Sequence, residues 1–231
     1  LDGRCVVVSG PGVSLAARHV VLALPPALAV HAIRFEPALG DELVGLAQQT
    51  PVWMGGVTKV VARYADAFWR RRGWSGSAMS HVGPMRELHD MSGPDGVPAA
   101  IFGFVPAGRV GEPSVDAAAV GAQLVTLFGS DASAPESIEI CDWRREEFTS
   151  PPLVDSLTRY ELFGHPHFRA PAFGGRLHWT STETAPGFAG HIEGALAAAE
   201  RTAQTSSASF DGRSDASADT PSVAPGTPAA S

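Results

Sequence analysis

The chain's only lysine, Lys59, sits inside the apolar run 57–61 (VTKVV), while 16 of its 17 basic residues are arginine. Two readings of that lysine stand side by side. It is an amine set in an apolar wall because it must be able to give up its proton, or it snorkels from a strand to water in an arginine-biased sequence. A second suggestive stretch begins at Leu177. Leu177, His178 and Trp179 have the length of a short strand. Thr180, Ser181, Thr182, Glu183, Thr184 and Gly187 follow as a polar, glycine-containing loop. From His191 the pattern turns helical: Ile192, Ala195, Leu196, Ala199 and Ala203 recur as one expected buried face, with Glu193 in the first turn, where the helix dipole favours an acid. Strand, loop and helix in that order aim backbone N–H groups and a helix N-terminus at an anionic ligand, although many α/β domains contain such a crossover.

Other candidate groups read as structural. Glu146 and Glu147 are adjacent, so their carboxylates diverge on a strand or a helix. Arg70, Arg71 and Arg72 beside Phe68 and Trp69 form a solvated corner. His81, His89 and Asp90 have no further ligand at compatible spacing, so no metal site is expected. Cys5 and Cys141 make neither a disulfide framework nor a metal motif.

The elements that must position these residues follow from pattern. Residues 4–9 and 18–24 read as strands joined by a turn at Gly10–Gly12, and with 177–179 they are expected to share one sheet. Asp41 is the expected N-cap of a short helix to about Gln49. After a break at Gly55-Gly56, Val57, Lys59, Val61 and Arg63 share one strand face and Thr58, Val60 and Ala62 the other. Residues 78–82 and 99–105 add strands around a polar loop, and Pro113 and Ser114 open a helix that Gly129 stops. Beyond Gln204 the chain turns to Thr, Ser, Ala, Asp, Gly and Pro, and 205–231 is expected to be disordered.

Composition narrows the class. The chain has 231 residues, 44% hydrophobic and 18% charged, which suits a globular protein with a substantial core. A net charge of −7 argues against nucleic acid as a partner. No apolar run approaches the ~18 residues of a membrane span. No secretory signal is visible, so a cytoplasmic location is expected; residue 1 is Leu and the first Met is Met54, so a start, and any signal with it, is expected to be missing.

The letters STETAPGFAGHIEGAL (181–196) resemble the C-terminal FAD-binding motif of the flavin-containing amine oxidase family. VTKVVARYADAFWRRRGWSG (57–76) is similar to the family segment whose lysine contacts the flavin's hydride-accepting nitrogen through a water, HVVLALPP (19–26) to the crossing from FAD domain to substrate domain, and SIEICDWRREEFTSPP (137–152) to a strand ending in Asp-Trp. The resemblance covers roughly 1–204. It implies an α/β (α+β) fold in which a mixed sheet flanked by helices forms the substrate domain. It implies residues 1–24 as part of an FAD-binding domain, 25–175 as the substrate domain and 176–204 as the C-terminal FAD-binding strand, loop and helix. Lys59 is then catalytic, Trp143 lies by the flavin, and Ser181, Thr182, Glu183, Thr184, Gly190, His191 and Ile192 form flavin contacts. A small amine would be the substrate and oxygen the electron acceptor.

Three departures from the family pattern qualify this. The glycine-rich βαβ unit that holds the ADP half of FAD is absent; Gly10 and Gly12 are a turn. Where several members carry Gly-Gly-Cys-Tyr, the source of a covalent flavin link and one wall of an aromatic cage, this chain has Ser150, Pro151, Pro152 and Leu153, so a non-covalent FAD is expected. The second cage aromatic, usually Tyr, is His191. The alternatives are a non-catalytic binding module of the same fold and a related FAD oxidoreductase acting on a non-amine.

Overall fold

Strict alternation makes Thr58–Tyr64 (β4) the central strand. Thr58, Val60, Ala62 and Tyr64 are buried on one face, whereas Lys59 and Val61 on the other are half-buried and Arg63 is exposed. The computed structural model describes residues 5–106 and 115–211. β4 pairs antiparallel with Ala99–Val105 (β7) on one side and Ser137–Asp142 (β8) on the other; Glu87–Asp90 (β6) and then Ala78–Met79 (β5) extend the sheet beyond β7, giving the order β5-β6-β7-β4-β8. The sheet expected to be mixed is antiparallel in all of these pairings.

The buried face packs on a helix, Ala117–Phe128 (α4), through Val60, Ala62, Tyr64, Leu88, Ile101 and Val105 against Val120, Leu124 and Phe128. The expected opening of this helix at Pro113 and Ser114 lies outside the described residues. Its cap is Asp116, whose Oδ1 accepts from the Ala119 N–H at 2.7 Å, and Gly129 at φ +81° closes it. β6 occupies what reads in sequence as a polar loop, because Leu88 alone points into the core while Glu87 and His89 stay half-exposed. The arginine corner is a set of ion pairs on and beside a short helix, Phe68–Arg71 (α3): Arg70 with Asp90, Arg71 with Asp66 and Arg72 with Asp131.

The second region departs further from expectation. The run 4–24 holds three strands: Val6–Gly10 (β1) pairs antiparallel with Val13–Ala17 (β2), and Val20–Leu22 (β3) pairs parallel with Leu177–Trp179 (β9). One shared sheet is thus replaced by two small ones. A helix unannounced by its sequence, Pro26–Ala32 (α1), starts on its own proline, whose missing N–H costs nothing at that position, and packs against Asp41–Gln49 (α2). Gly40, not Asp41, is the cap of α2, and Asp41 is a first-turn acid.

The C-terminal helix, Ile192–Asp211 (α5), runs past the boundary expected at Gln204; residues 212–231 lie outside the described part. Its buried face is also not the expected one. Ile192 and Leu196 are 82% and 55% exposed, and Ala199 and Ala203 are exposed. Gly194, Ala198 and Thr202 make the buried stripe. Small residues at four-residue spacing let the helix approach its neighbours closely, and periodicity of large side chains conceals such a face.

Candidate functional site

Burial of Leu177 and Trp179 against Leu22 and Phe168 anchors β9, and Thr180 N–H donates to Leu22 O at 2.9 Å as the chain leaves the strand. A 3-10 turn, Thr182–Thr184, follows. Thr182 Oγ1 accepts from Gly190 N–H and donates to His191 O, both at 2.8 Å, which clamps the loop to the start of α5. Thr184 is fully buried; its hydroxyl donates to Ser181 O at 2.7 Å, and Arg201 from α5 donates to Thr184 O and Trp179 O. Burial, and secondarily the charge of Arg169, lowers the Arg201 pKa.

Glu183 is 3% exposed. Its Oε1 accepts from Trp53 N–H at 3.3 Å, whereas Oε2 is buried without a protein partner among the described residues. Ser181 Oγ is buried and unpartnered in the same way. An orphaned buried acceptor costs ~1–3 kcal/mol or more, and the loop presents two such oxygens that a donating polar ligand can satisfy. Trp53 leans over the same place: its ring lies 5.5 Å from His191 and 6.2 Å from Tyr160, and Gly190 adopts φ +85° beneath it, where a Cβ would collide with the indole.

Six residues on from Trp53, Lys59 places its Nζ 4.8 Å from the centroid of the Trp143 ring, a cation–π contact. Trp143 follows β8 directly, and its N–H reaches Val57 O at 3.4 Å. Its Nε1 is buried without a protein partner among the described residues. Arg144 forms a two-point contact with Asp142, at 2.8 and 2.7 Å, and this hydrogen bonding holds the Asp142 carboxyl below its usual range. Segment 53–59 therefore joins two groups: Glu183, Gly190 and His191 at one end, Lys59 and Trp143 at the other.

The sequence profile of the flavin-containing amine oxidoreductases matches residues 2–205. The chain belongs to that family. A probable flavin-containing monoamine oxidase A of Dictyostelium discoideum is 31% identical over 199 residues, 84% of this chain and 42% of that protein. An L-amino acid dehydrogenase of Synechocystis is 30% identical over 81% of this chain and 40% of its own length. Among solved structures, cyclohexylamine oxidase from Brevibacterium oxydans superimposes with a TM-score of 0.71 at 27% identity, covering 90% of this chain and 47% of that one. The chain spans less than half the length of these relatives.

Within this member of the family, the site residues expected from sequence fall into distinct environments. Glu183 and Ser181 present open acceptors; Thr182 and Gly190 shape the loop; Thr184 is saturated by internal hydrogen bonds and acts as a bolt. His191 and Ile192 are exposed at the start of α5. Trp53 was not foreseen, because a Trp before a Gly-Gly break looks like any apolar strand residue. His178 was read only as part of a strand. It is buried, 3.1 Å from His19, and its pKa is lowered by burial first and by His19 second, so the contact ties the residue before β3 to β9. Among the described residues no group of three or more His, Cys, Asp or Glu is placed to hold a metal, and no helix is long and apolar enough to cross a membrane.

Proposed function

We propose that the chain is the C-terminal part of an FAD-dependent amine oxidase, with residues 1–24 and 176–204 on the flavin side and 25–175 on the substrate side. The observation that carries this is the pairing of the chain's only lysine with Trp143 on the half-buried face of the sheet. Bound FAD would supply the chemistry, taking a hydride equivalent from the carbon that bears a neutral amine and passing the electrons to oxygen.

The chain's own residues bind and orient. Glu183 Oε2 and Ser181 Oγ are acceptors suited to hydroxyl donors of a ribityl chain. The backbone at the start of α5 offers N–H groups and the positive end of the helix to a developing negative charge. Lys59 Nζ is the donor that would anchor a water beside the flavin's reactive nitrogen, and Trp143 fixes where that ammonium lies. No cysteine stands among Ser150, Pro151, Pro152 and Leu153, which supports a flavin held without a covalent link.

Lys59→Met tests this in the complete flavin-loaded gene product that contains these residues. The variant keeps the bulk of the stem and loses the donor. Removal of one positioned donor at a reacting centre costs ~10²–10³ in rate, so flavin reduction by amine, reoxidation by oxygen, or both should slow on that scale in stopped-flow absorbance. Both rates within about twofold of the parent, with flavin bound normally, would make Lys59 a snorkelling strand residue.

A further inference from the structure

We propose that the ion pair of Asp142 and Arg144 is a positioning device: by fixing the turn that carries Trp143, it sets where the Lys59 ammonium stands. Its importance for the reaction rests on the role of Lys59 proposed above. In the ladder between β4 and β8, Lys59 lies opposite Cys141 and Thr58 opposite Asp142. Side chains alternate along a strand, so Asp142 leaves β8 on the face away from Lys59 and acts from behind the sheet. It is the last residue of β8, and the 3-10 turn Trp143–Arg145 follows it directly.

The Trp143 backbone is held on both sides. Its N–H donates to Val57 O at 3.4 Å, and its carbonyl accepts from the Glu146 N–H at 3.2 Å. One carboxylate locks the residue that follows. Asp142 Oδ1 accepts the Arg144 backbone N–H at 3.2 Å and Arg144 Nε at 2.8 Å, and Oδ2 accepts Nη2 at 2.7 Å. The Asp142 side chain is 12% exposed and that of Arg144 24%, so water competes weakly for this two-point contact. Arg145 is exposed, with its Nε 3.6 Å from the same carboxylate, too open and too distant to take over. Asp155, on the turn Val154–Ser156, adds its attraction to the Arg144 guanidinium. The indole has no comparable anchor of its own, because Nε1 is buried without a protein partner among the described residues. The ring therefore stands where the turn places it, and Lys59 Nζ lies 4.8 Å from its centroid. A lysine ammonium ends a flexible stem, so a displaced ring takes away its fixed position.

The test reads the lysine itself and then the rates, both in the complete flavin-loaded gene product. With lysines carrying carbon-13 at Cε, the Lys59 signal is the one lost in Lys59→Met. Its Hε protons should lie upfield of those of exposed lysines, shifted by the Trp143 ring, and should lose that shift in Trp143→Leu. Asp142→Asn, which keeps the shape of the side chain, and Arg144→Met should each lose most of the same shift. Arg144→Lys, a cation without the two-point geometry, should lose part of it. In stopped-flow absorbance, Arg144→Met should slow by about tenfold or more whichever half-reaction Lys59→Met slows, as misplacement of a positioned group implies. Once Lys59 is already Met, it should change that rate by less than about twofold, since the two residues act as one unit. A Lys59 signal unmoved in both Asp142→Asn and Arg144→Met would overturn the proposal. So would equal slowing by Arg144→Met with and without Lys59. A moved signal, with Lys59→Met itself within about twofold of the parent in both half-reactions, upholds the placement of the ammonium by the pair and sinks the donor role of Lys59.

Discussion

With φ at +85° and the Trp53 indole where a side chain would project, Gly190 fixes the loop over Glu183 by having no Cβ. That conformation costs a non-glycine residue on the order of 1–3 kcal/mol, and the collision adds to it. Gly190→Ala should destabilise the chain by that amount in chemical denaturation and shift the tryptophan emission as the indole is displaced; unchanged stability and emission would show that Trp53 does not depend on this turn. At this scale the sequence was partly legible. Lys59 stood out because no other lysine accompanies it, and Glu183 because its motif is distinctive. Trp53 was hidden, since its place depends on the backbone of Gly190, 137 positions away along the chain.

The helix α5 was placed from its pattern but turned the wrong way. Large apolar side chains at helical spacing mark the face a helix can bury, and here Ile192 and Leu196 are exposed while Gly194, Ala198 and Thr202 face inward. The close approach follows from size: Ala198 is fully buried, and a Cβ at Gly194 would meet Phe188 O. Ala198→Leu should therefore overpack the contact and cost ~1–3 kcal/mol, whereas Leu196→Ala in the 231-residue chain should change stability by no more than about 0.5 kcal/mol. The opposite order in denaturant melts would restore the face expected from periodicity. Strands β4 and β7 and helix α4 were legible because each alternates or repeats over seven, seven and twelve residues, and β8 through the likeness of 137–152 to a family strand ending in Asp-Trp. β6 was not, because only Leu88 of its four residues is buried.

At the scale of the molecule, two kinds of surface coexist. The sheet of β4 to β8 closes one face on α4, while Val13, Leu15 and Val21 on the small sheets and Ile192 and Leu196 on α5 remain open to solvent. These five positions lie on the elements proposed for the flavin side, although Met79, Val82, Phe148 and Leu153 on the proposed substrate side are exposed as well, in a chain that spans less than half of its relatives' length. On the proposed reading, a bound flavin would give the orphaned Glu183 Oε2 its partner and Lys59 a reaction to serve. The measurement that bears on this most directly is the absorbance spectrum of the purified complete gene product, taken anaerobically before and after an excess of amine, and again on the supernatant after acid precipitation. The account predicts an oxidised flavin spectrum that amine bleaches, with the flavin fully released into the supernatant by acid. A gene product that purifies without flavin, or whose flavin stays oxidised under every amine tried, would contradict it.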